Sequence, residues 1–112
     1  MEEINPNAAV DFLLKNASLF AKAKSDRVYL EEFRKSKKAM LMKDSLKSGV
    51  EAANAQEREA YADPEYVQLI KGMALAIEKE ETLKWEIEAA RLDIEIWRSR
   101  EATNRTQDGA HR

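Results

Sequence analysis

Alternating steps of three and four residues from Tyr66 meet Leu69, Met73, Ala76, Glu80, Leu83, Ile87, Ala90, Ile94 and Trp97. Nine of these ten positions are apolar, and only Glu80 breaks the row. A 3-4 repeat kept up over this length holds one stripe of a helix against a partner helix, which is the seam of a coiled coil. The chain is thereby constrained to long helices packed side by side.

Its two prolines divide it. Asn5-Pro6 and Asp63-Pro64 each set a side-chain acceptor before a residue with no N–H, the pattern of an N-cap followed by the first helical position. Glu65 adds negative charge at the positive end of the second helix dipole. The spacing predicts helices over about 6–44 and 64–104, each spanning about 60 Å if unbroken. Between them, Gly49 can end the first helix, and Ser48 with Glu51 has the S-x-x-E spacing of a capping box. A short middle helix is expected over 50–61. Residues 106–112 lack apolar periodicity and read as a flexible tail. No strand-like alternation is present. The expected fold is all-α, an antiparallel, coiled-coil-like long-helix hairpin with a short middle helix. It forms one domain over 1–105 and is oligomeric.

The last helix carries a second apolar row, Trp85, Ala89, Leu92 and Ile96, about 150° from the first. Lys84, Glu88, Arg91, Glu95 and Arg98 form an alternating-sign ladder between the two. Either the middle helix folds over this second face or a partner covers it. Left in water, each large side chain forgoes roughly 1.5–3 kcal/mol. The middle helix offers Val50, Ala53 and Tyr61 but few large residues, so the row is assigned to partner binding. Gly72, inside the same helix, reads as a close helix approach or a bend.

In the first helix Phe12, Leu19, Ala23, Leu30, Phe33 and Leu41 form a less regular face, with Leu13 and Phe20 on its shoulder and Asp26 and Lys37 interrupting it. Charge is split along the chain: from Lys15 to Lys47 there are ten basic and four acidic residues, and from Ser48 to Asn104 seven and thirteen. Lys24, Arg27, Arg34, Lys35 and Lys38 share one sector beside the apolar face. They either pair with acids of the last helix or contact nucleic-acid phosphates. The overall charge of −2 argues against the usual basic nucleic-acid-binding domain, so phosphate contact is the alternative reading.

Nothing resembles an active site. There is no Cys, so disulfides and thiolate zinc sites are excluded, and three Gly leave no phosphate-cradling loop. His111, the lone histidine, lies next to the C-terminus. Neighbouring carboxylates such as Glu31-Glu32 and Glu80-Glu81 point about 100° apart on a helix. Glu78 and Glu81 share a face without a further ligand pair. The aromatics sit mostly on the seam, and Met40 and Met42 read as core. No catalytic residue, cofactor, metal or small-molecule substrate is therefore expected. Neither a bilayer-spanning apolar run nor a signal-peptide pattern is present.

The stretch Ala60-Tyr61-Ala62-Asp63-Pro64-Glu65-Tyr66, the seam after it, and the ending Trp97-Arg98-Ser99-Arg100-Glu101-Ala102 resemble the C-terminal half of small all-helical proteins of tailed bacteriophages and prophages. Leu30-Glu31-Glu32-Phe33-Arg34-Lys35-Ser36-Lys37-Lys38-Ala39 resembles their first helix. The resemblance covers about residues 10–105. It implies an accessory role beside phage recombination or replication proteins in the bacterial host cytoplasm, and supplies no site residues. The resulting expectation is a non-enzymatic adaptor whose partner is a second copy, a phage protein or a host protein. Direct nucleic-acid binding and inhibition of a host protein are the alternatives.

Overall fold

The computed structural model describes residues 3–110. Three helices follow in order: α1 (Pro6–Lys47), α2 (Ala53–Ala62) and α3 (Pro64–Ala110). Among the described residues there is no strand, and the chain is an all-α helical hairpin. It divides into two compact units: the chain ends, up to Ala21 and from Glu81 on, and the middle, Lys22–Glu80.

Both proline-marked starts form as expected. Asn5 Oδ1 accepts the N–H groups of Asn7 and Ala8 at 3.0 and 3.2 Å. Asp63 Oδ1 accepts that of Glu65 at 2.8 Å. Each satisfies donors that the first turn leaves unpaired.

The turn between α1 and α2 departs from the capping-box expectation. Val50 N–H donates to Ser45 O at 3.0 Å and Gly49 N–H to Leu46 O at 3.1 Å, with Gly49 left-handed at φ 98°. This is a Schellman termination, which satisfies the last carbonyls of α1. Ser48 is thus the last residue of α1's cap, and its hydroxyl donates to Asp44 O. It does not start α2. The N-cap of α2 is Ala52, without a side-chain cap bond. Gln56 Nε2 holds the entry instead, donating to Val50 O at 2.8 Å. Hence α1 runs three residues beyond the expected Asp44, and α2 starts at Ala53. α3 continues through Ala110, so residues 106–110 of the expected flexible tail are helical, with Thr106 Oγ1 donating to Ala102 O. His111 lies outside the described residues.

In the middle unit the second half of α1 runs antiparallel to the first half of α3. Arg27 meets Glu80 and Lys37 meets Glu65, so partner numbers fall on α3 as they rise on α1. The buried residues of α3, namely Tyr66, Met73, Glu80 and Ala90, all lie on the 3-4 row read from the sequence. Glu80 does not break that seam. It is 8% exposed, and its carboxylate accepts hydrogen bonds from Arg27 Nε and, at 3.1 Å, from Arg27 Nη2. Arg27 also donates to Glu31 at 3.0 Å.

This pairing corrects the expected face of α1. The inward row passes Ala23, Arg27, Leu30, Arg34, Lys37 and Leu41, whereas Leu19 and Asp26 point outward. Ala23, at 2% exposure, is the most deeply buried described residue of α1. Lys37 sits on the seam, with its stem covered and its ammonium reaching Glu65. α2 packs through Tyr61, edge-on to Tyr66 at 5.4 Å, and through Glu59, which accepts from the buried Ser45 hydroxyl at 3.0 Å.

Gly72 faces open space: a Cβ there would meet nothing within 4 Å, so no helix approaches it closely. The two glycines therefore predict opposite signs in chemical denaturation. Gly72→Ala stabilises by about 0.8–1 kcal/mol through helix propensity. Gly49→Ala destabilises by about 1–2 kcal/mol, the cost of left-handed backbone for a residue with a Cβ.

Candidate interaction surface

The outward row of α3 stands in solvent. Trp85 is 63% exposed, Leu92 52% and Ile96 42%, and Ala89 is exposed as well. The row spans about 17 Å of helix. Burial under the middle helix was the alternative expectation, and the row is exposed. Tyr61 of α2 packs on Tyr66 instead. Lys84 places its ammonium 5.8 Å from the Trp85 ring centroid, a weak cation–π contact at an exposed site.

Within the chain-end unit, Ala89 and Ile96 also form one wall of a groove of about 770 Å³. The start of α1 supplies the facing wall with Ile4, Ala8, Ala9 and Phe12. Four alanines, Ala8, Ala9, Ala89 and Ala90, keep the groove shallow-walled, and an incoming backbone can approach closely. Among the described residues its charged lining is Glu3, Glu86 and Asp93, with no Lys or Arg. Ile4 and Ala8 were not singled out from the sequence, although their i, i+4 spacing with Phe12 marks them. Val10 and Leu14, at 42% and 73% exposure, lie off the apolar face that the sequence marks on α1.

The basic residues proposed for phosphate contact are largely engaged within the protein. Arg27 is held by Glu80 and Glu31. Lys38 pairs with Glu57 at 3.3 Å and lies 4.8 Å from the Tyr61 ring centroid. Lys35 pairs with Glu32, although both remain exposed. Lys24 is exposed, and neither it nor Arg34 forms an ion pair among the described residues. Among the described residues, Arg27 alone of the five meets an acid of the last helix, as the structural alternative required; Lys38 reaches α2, and Lys35 pairs within α1 at an exposed site.

Among the described residues no group of three His, Asp or Glu side chains could hold a metal ion. No described helix is long and apolar enough to cross a membrane. Compared with family models, curated proteins and solved structures, the chain matches nothing.

Hydrogen bonds raise the proton affinity of the seam cations. Lys37 is held above its ordinary 10.5, chiefly by its bond to Glu65, and Lys38 chiefly by Tyr61 and then Glu57. Because the folded values are raised, this stabilisation is complete below the unfolded value of 10.5 and is lost as pH climbs through the folded ones. Thermal melts should therefore show the parent more stable than a Lys37→Met/Lys38→Met variant at neutral pH. The difference should shrink in strongly alkaline buffer.

Proposed function

We propose that this protein is a non-enzymatic helical adaptor acting by protein–protein association through Trp85, Ala89, Leu92 and Ile96. The observation that carries this reading is the exposure of three large apolar side chains in one regular row on a helix whose opposite row already serves the hairpin. Contiguous apolar surface of this kind marks interaction sites, and its i, i+4, i+7 spacing fits a helix laid alongside. The neighbouring groove extends the same surface onto α1.

The resemblance to small helical phage proteins directs the search for partners towards the phage recombination or replication apparatus in the host cytoplasm. Ion pairs with other helices engage Arg27 and Lys38 of the basic sector of α1, which favours association over direct nucleic-acid binding as the primary activity.

The test is a Leu92→Glu variant. Because Leu92 is half exposed, the substitution should leave helical circular dichroism and melting temperature nearly unchanged while abolishing partner capture from expressing cells. Unaltered capture by a folded Leu92→Glu protein would exclude this face as the binding surface.

A further inference from the structure

The positions that border the outward row show what kind of helix it accepts. About 70° to one side lie Glu81, Glu88 and Glu95, and about 70° to the other lie Glu86, Asp93 and Arg100. Five of the six are carboxylates. Arg91 and Arg98, which contact Glu88 and Glu95 at 3.6 and 3.5 Å, lie further round the helix, and these exposed pairs screen weakly. Glu86 and Asp93 line the groove together with Glu3. The apolar row is therefore fenced mainly by negative charge on both sides, with Arg100 at one end of the border and the Lys84 ammonium 5.8 Å from the Trp85 ring centroid.

Such a border disfavours a second copy of the chain. If two rows met antiparallel, Glu81, Glu88 and Glu95 would face the same three residues of the other copy, and on the other border Asp93 would face Asp93, with only Glu86 and Arg100 paired attractively. If they met parallel, Glu81 would face Glu86 and Glu88 would face Asp93, leaving only Glu95 opposite Arg100 as an attractive pair. Like charges across an interface oppose association. The exposed row of α1, Val10, Leu14, Ala17 and Ala21, offers no remedy, because its borders are Asp11, Leu13, Ser18 and Phe20.

We infer that this face and its groove take an amphipathic helix of a different protein, one whose apolar stripe is bordered on both sides by Lys or Arg. The inference rests on the adaptor reading and adds the partner's charge chemistry to it. Apolar burial along Trp85, Leu92 and Ile96 supplies affinity. The double acidic border selects the partner and rejects self-pairing.

The experiment uses the full chain with Trp97→Phe, so that Trp85 alone reports by fluorescence. Two synthetic helical peptides of about three heptads serve as probes, with identical Leu/Ala stripes but borders of Lys in one and Glu in the other. The Lys-bordered peptide should bind at least about tenfold more tightly and weaken as salt is raised. A Glu86→Lys/Glu88→Lys/Asp93→Lys variant should reverse the preference, while sedimentation shows the parent chain monomeric. Equal affinity for both peptides would overturn the charge selection and leave the adaptor reading standing. So would a dimer of the parent that Leu92→Glu dissolves, since the occupant would then be a second copy. Failure of both peptides to perturb Trp85 would remove the inference and the adaptor reading together.

Discussion

A two-helix hairpin has a single seam, and the other properties of this molecule follow from how that seam is filled. Each long helix can turn only one stripe towards its neighbour. On α3 that stripe is the row from Tyr66 to Ile94, whose members are buried or half-buried. At its centre an ionic contact, Arg27 with Glu80, occupies a position where an apolar pair would serve. A largely buried ion pair is a poor source of stability, and it favours this register because a slip of α1 by one turn would part Arg27 from Glu80. The hairpin is thus aligned by charge and held by area.

Much of this was legible in the residues. The 3-4 row, the Asn-Pro and Asp-Pro starts and the helical order follow from local rules that the packing does not override, because a hairpin of long helices has few long-range choices to make. The face of α1 was harder to read. Leu19 and Asp26 versus Phe20 and Arg27 are adjacent choices at the same level of the seam, and hydrophobicity favours the wrong pair. The decision depends on Glu80, more than fifty residues away, which local pattern cannot register. The Ser48 misreading has a similar cause. Its spacing to Glu51 suits a helix start, but Gly49 makes the preceding residues a helix end, and the backbone bonds of that ending take precedence. The outward row of α3 was visible as a pattern. What covers the row was not, since exposure is a property of the whole fold. The groove beside it needed the start of α1 to be placed first.

The uneven charge along the chain acquires a clear division of labour. Three cations of the second half of α1, Arg27, Lys37 and Lys38, meet acids of their own chain, at Glu31, Glu57, Glu65 and Glu80. Among the described residues, the acids bordering the outward row of α3 form no cross-helix ion pair, and the contacts of Glu88 and Glu95 lie within the helix. The molecule thus carries carboxylates beside its exposed apolar row.

The chain's reversal hangs on one achiral residue. With Gly49 left-handed, α1 stops and the following segment doubles back; everything that lets α3 find its own α1 passes through that kink. Were the backbone from Gly49 to Ala52 to relax into the right-handed helical region, α1 and α2 would merge into one uninterrupted rod, and α3 would be carried away from its native mate. The row from Tyr66 to Ile94 would then seek the first helix of another molecule, giving an arm-exchanged pair built from the same contacts.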